Sequence, residues 1–118
     1  REHFELSHAH SGLREQFDFV LTRESYGASK PAPDGYLLGL QRLGLAADEC
    51  VAVEDAPRGL RAANAAGLEC IILRNHMNRH HAFDGAFCVV ESVAELAEVL
   101  ASFVPGATAT APQLECAL

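Results

Sequence analysis

The chain has 118 residues, with 9 Lys plus Arg against 16 Asp plus Glu and a formal net charge of −7. That balance excludes nucleic acid and an anionic membrane surface as partners, since both need clustered cations to displace counterions. Hydrophobic residues make up 49%, enough for one domain with a core, while the short apolar runs neither span a bilayer nor form a signal peptide, so a cytoplasmic location is expected.

Residues 1–11 are helix-compatible and stop at Gly12, the residue type that most readily takes a left-handed cap. Phe17-Asp18-Phe19-Val20-Leu21-Thr22 reads as a short strand. Next comes Ser29-Lys30-Pro31-Ala32-Pro33-Asp34, a proline-stiffened loop that aims one lysine, because a residue before proline is held extended. Residues 34–43 carry Tyr36, Leu40 and Leu43 at helical spacing, with Pro33 near the first turn and Gly44 past the end.

Cys50 to Val53 is a continuous apolar strand of the kind covered on both faces, and it leads into the adjacent acids Glu54 and Asp55. An alanine-rich helix over 57–66 ends at Gly67, followed by a buried strand Cys70-Ile71-Ile72-Leu73. Residues 74–84 read as a loop and Phe87-Cys88-Val89-Val90 as a further strand. Ser92 and Glu95 have capping-box spacing and open a helix with Val93, Leu96, Leu100 and Phe103 on one side. The Ala/Thr/Pro-rich residues 105–118 are expected to be a flexible tail after a domain spanning 1–104. Alternation of this kind implies an α/β fold with a parallel sheet and right-handed crossovers.

Cys50, Cys70, Cys88 and Cys116 form no Cys-x-x-Cys pair and read as free thiols of a reducing compartment. In an open α/β sheet, ligands sit beyond the carboxyl ends of the strands, where Glu54 and Asp55 fall. Neighbouring carboxylates repel, and a divalent cation relieves that repulsion; Mg²⁺ suits two acids and a phosphate better than Ca²⁺, which wants more oxygens. Lys30 on the same rim could neutralise a phosphate or an attacking carboxylate. These are the parts of a phosphoryl-transfer site.

Competing readings are plain: Asp55 as a helix cap, Glu54 as a solvated strand end, Lys30 as an ordinary loop lysine. His76, His80 and His81 have pair spacings that zinc accepts, but no glutamate accompanies them as in a zinc protease motif, and a solvated loop is preferred. His3, His8 and His10 read as surface residues of the first helix.

The loop Lys30 to Asp34, of the form Lys-Pro-x-Pro-Asp, and the strand ending Glu54-Asp55 resemble the last two motifs of the haloacid dehalogenase superfamily, in its phosphatase and phosphomutase branch. The spacing and the helix from Arg58 to Gly67 agree, and the resemblance extends to Phe103; Ala56 stands where a serine often follows the acids. The resemblance implies a Rossmann-like parallel sheet with flanking helices. It also implies roles: Asp55 as direct Mg²⁺ ligand, Glu54 as a ligand through water or a supporting acid, and Lys30 as the catalytic lysine that stabilises nucleophile and phosphoryl group. The family mechanism acts on a small phosphorylated metabolite and passes through an aspartyl phosphate formed on the enzyme's own nucleophile.

The family's nucleophile is the first aspartate of an Asp-x-Asp motif, and no two aspartates here are spaced by one residue. By the same resemblance the fold is incomplete. Two central strands, between the Phe17–Thr22 and Cys50–Val53 strands, and the substrate-selecting cap domain are expected to be absent, and the chain alone to be inactive. The enzyme reading takes the missing N-terminal half as its partner; the alternative is a non-catalytic metal-binding or interaction module that pairs with another chain through its exposed sheet edge, a strand-exchanged homodimer among the possibilities.

Overall fold

A computed structural model describes residues 11–104. The expected first helix, for residues 1–10, and the expected tail at 105–118 lie outside the described residues. Three strands, β1 (Val51–Glu54), β2 (Glu69–Leu73) and β3 (Cys88–Val90), and three helices, α1 (Asp34–Leu43), α2 (Pro57–Ala65) and α3 (Val93–Ser102), carry the architecture. The sheet has the order β1-β2-β3 and is parallel throughout. Val51 pairs with Glu69 and Glu54 with Ile72, while Ile71 pairs with Cys88 and Leu73 with Val90.

The central strand explains its own composition. Cys70 and Ile72 face a core built with Ala52, Leu60, Ala63 and Phe83, whereas Ile71 faces Cys88, Val90 and Val99 on the opposite side. Both faces are covered from Cys70 onward, so β2 needs consecutive apolar residues there, and Cys70, Ile71 and Ile72 are all 0% exposed. Ala62 and Ala63 are equally buried; their small side chains let α2 lie close on the sheet. Helix α1 packs beside α2, with Tyr36 and Leu40 against the same core. Among the described residues, no helix is long and apolar enough to cross a membrane.

Helix ends follow the chemistry read above. Gly44 and Gly67 take left-handed φ values of 67° and 81° just past α1 and α2. Ser92 Oγ accepts from Glu95 N at 3.1 Å, and Glu95 Oε2 accepts from Glu91 N at 2.7 Å, so the reciprocal bond of the expected capping box reaches one residue further back.

Three expectations fail. The strand read at Cys50–Val53 runs instead from Val51 to Glu54 at the edge of the sheet, and with Val53 41% exposed it is not covered on both faces. Phe17–Thr22 does not form a strand. It lies between 3-10 turns at Arg14–Gln16 and Arg23–Ser25, and Thr22 N donates to Ser25 Oγ at 3.0 Å, serving the turn instead of a ladder. Extended residues become a strand only against a neighbour that takes their hydrogen bonds, and among the described residues no strand lies beyond β1 to provide one. The inner face of α3 is also rotated: Val99 is 1% exposed while Val93 is 69% exposed. Leu96, Val99 and Leu100 meet the sheet, and Phe103 instead packs on Phe87 with ring centroids 5.4 Å apart.

Candidate active site

Glu54 is the last residue of β1, and its side chain is only 8% exposed. A carboxylate that far from water needs strong partners, because its desolvation costs several kcal/mol. It has two. Lys30 Nζ and Tyr36 Oη both donate to Glu54 Oε1. Lys30 sits on a turn with a cis Lys30–Pro31 peptide bond, closed by Ala32 N donating to Ser29 O at 3.1 Å and Ala28 N donating to Asp34 Oδ2 at 2.9 Å. Tyr36 comes from the first turn of α1, and its ring centroid lies 5.3 Å from Lys30 Nζ.

Electrostatics around Glu54 follow from this burial. Burial first, and the hydrogen bond to Glu54 second, push the Tyr36 phenol well above its ordinary range, so the hydroxyl stays protonated and keeps donating. Burial, with Glu54 as the next cause, pushes the Cys70 thiol up to about 11. On its remaining side Glu54 lies against the first turn of α2, at Gly59. A Cβ there would stand 2.7 Å from Glu54 Oε1 and closer still to Cδ and Oε2. Glycine is the residue that lets a buried acid rest on the positive end of that helix.

Asp55, one residue on, is exposed, and among the described residues its carboxylate makes no hydrogen bond or ion pair. It is not a helix cap: the N-cap of α2 is Ala56, with no side-chain cap bond. The two acids therefore part company, Glu54 inward to Lys30 and Tyr36, Asp55 outward to solvent. Asp55 borders a cavity of about 220 Å³ with Pro57, Asn75, Asn78 and His81. A second cavity of about 280 Å³ lies beside Lys30 and Tyr36, walled by Leu21, Tyr26 and Gly39. Among the described residues, no group of three or more His, Cys, Asp or Glu side chains is arranged to hold a metal ion by itself.

Residues 2–67 match the haloacid dehalogenase-like hydrolase family. The chain belongs to this family. Its haloacid dehalogenase-like relatives include the plasmid-encoded protein CbbY of Cupriavidus necator, 39% identical over 104 residues that cover 86% of this chain and 41% of that protein. Fructose-1-phosphate phosphatase YqaB of Escherichia coli is 46% identical over 66 residues, 56% of this chain and 35% of the relative. Among solved structures, a candidate beta-phosphoglucomutase from Thermotoga maritima superposes with a TM-score of 0.79 at 27% identity, covering 88% of this chain and 49% of that one. The chain thus spans less than half the length of the haloacid dehalogenase-like proteins it matches.

Three residues of this candidate site escaped sequence reasoning. Tyr36 reads as part of an apolar helical face, although its place in the first turn of the helix that follows the Lys30 loop puts its hydroxyl within reach of the same acid. Gly59 reads as a helix residue without special duty. Asn78 is 5% exposed inside a loop read as solvated, and nothing local in its sequence announces that burial.

Proposed function

We propose that this segment carries the lysine and acid part of a Mg²⁺-dependent phosphatase or phosphomutase acting on a small phosphorylated sugar. The carrying observation is the convergence of Lys30 and Tyr36 on Glu54, next to an Asp55 carboxylate with no partner among the described residues. Family membership and the phosphatase and mutase names of the relatives support the reading.

In this reading Asp55 supplies one hard oxygen to Mg²⁺, and its exposure and uncommitted oxygens fit that use. The ion, when bound, offsets negative charge on the phosphoryl oxygens. Glu54 is the supporting acid, which fixes the Lys30 ammonium group where a nucleophile and the transferring phosphoryl group come together. Tyr36, locked as a donor, keeps Glu54 from turning away. Lys30 then stabilises charge that develops at the reacting oxygens.

The aspartate nucleophile, which would carry the phosphoryl group covalently, comes from a segment other than this one, since no Asp-x-Asp pair occurs in the chain. That segment would pair along the edge of β1, where Val53 is 41% exposed. A second copy of this chain is the competing occupant.

The test joins the chain to the segment that precedes it in its gene and measures release of phosphate from fructose 1-phosphate and an aryl phosphate. The joined protein with Mg²⁺ should release phosphate, Lys30→Ala should abolish most of it, and the 118-residue chain alone should be silent. Silence of the joined protein with Mg²⁺ would overturn the proposal. A chain that is silent in every form and dimerises through β1 would support the interaction module.

A further inference from the structure

The loop between β2 and β3 is tied to the site by one side chain. Asn78 Nδ2 donates to Asp55 O at 2.9 Å and to Leu73 O at 3.0 Å, while Asn78 Oδ1 accepts from Asn75 N at 2.8 Å. Asp55 and Leu73 are the positions just past the last β1–β2 pair and at the end of β2. The amide therefore adds a side-chain rung where the backbone ladder has stopped. Its loop is itself braced: Asn75 Oδ1 accepts from Met77 N at 2.8 Å and from Asn78 N at 3.0 Å, and Arg74 Nη1 donates to Arg79 O at 3.1 Å.

We infer that Asn78 is a positioning residue for Asp55: its buried amide fixes the Asp55 backbone and so the place where the Asp55 carboxylate meets a cation. This rests on the reading of Asp55 as the metal ligand. The chemistry explains why asparagine stands there. Two carbonyl oxygens and one N–H must be satisfied by one short side chain, and a primary amide supplies two donors and an acceptor. An aspartate would set a carboxylate against both carbonyls, and a serine has a single donor. With either, a backbone carbonyl loses its partner at the residue whose placement matters most. Groups that orient a ligating residue commonly change metal affinity by about 10–100-fold when lost.

Mn²⁺ titrated into the ¹⁵N-labelled chain tests this, with paramagnetic broadening read at each amide. The wild-type chain should broaden first at Asp55 and Ala56, well before the exposed Glu69 and Glu98, and Asp55→Asn should remove that preference. Asn78→Ala should need about tenfold more Mn²⁺ for the same broadening at Asp55, with the amide fingerprint of β1, β2 and β3 unchanged; Asn78→Ser should fall between. If Asn78→Ala disturbs the fingerprint, Asn78→Ser decides on the same criterion. A variant that keeps the fingerprint and broadens at the wild-type Mn²⁺ concentration, while Asp55→Asn does not, overturns the positioning role alone. A wild-type chain with no preference for Asp55 overturns the metal reading, and the positioning role with it.

Discussion

Gly59→Ala sets two effects of opposite sign against each other. In a helix, alanine is favoured over glycine by about 1 kcal/mol, so on propensity alone the change stabilises α2. The structure predicts the reverse. The added methyl would enter the space of the Glu54 carboxylate, and overpacking of a closed site costs about 1–3 kcal/mol. Moving the acid aside also pulls it from Lys30 and Tyr36. A net loss of about 1–3 kcal/mol is expected, read as a lower urea midpoint by far-UV circular dichroism. The double variant isolates the cause: in a Glu54→Ala background the space is vacant, and Gly59→Ala should stabilise by up to about 1 kcal/mol. The two substitutions should therefore couple by roughly 2 kcal/mol or more. Stabilisation of the otherwise wild-type chain by Gly59→Ala would refute the packing argument.

Two further outcomes follow from the same charges. Lys30→Met leaves a nearly buried carboxylate with Tyr36 as its one remaining donor among the described residues; because the Lys30 side chain is 39% exposed, the loss should be about 1–2 kcal/mol instead of the larger figure for a fully buried pair. Unchanged urea midpoints would count against it. Alkaline pH should weaken the fold. The Cys70 thiol is raised from 9.0 to about 11 in the folded chain, so the unfolded thiol ionises first, and stability present below pH 9 is lost as pH rises towards 11. The thiol contributes up to about 2–3 kcal/mol across that window, and Tyr36 acts in the same direction above its ordinary pKa. Cys70→Ala should flatten the decline in urea midpoint between about pH 8 and pH 10.5; parallel profiles would disprove the assignment.

Where local pattern and global environment agree, the chain is readable. Cys70 to Leu73 is apolar throughout because helices cover both faces, and α1 begins and ends where Pro33 and Gly44 indicate. Phe17–Thr22 has strand composition, yet composition cannot provide the neighbour that a ladder needs. Val99 and Phe103 are both apolar and near in helical register, and only the position of the sheet decides which is buried. The same limit governs the site. Lys30, Glu54 and Asp55 announce themselves through charge beside proline and at a strand end. Their differing fates, one acid neutralised inside and one left to solvent, depend on a tyrosine and a glycine whose duties are invisible until the backbone brings them to Glu54.

The contacts of Glu54 and Asp55 also bear on how this site can be taken apart. Glu54 takes its donors from residues 24 and 18 positions earlier, and Asp55 takes its amide from 23 positions later. No contiguous stretch shorter than residues 30–78 holds all of these groups, so the arrangement exists only once distant parts of the chain have closed on one another. A synthetic peptide bearing the two acids would reproduce their charge and none of their geometry.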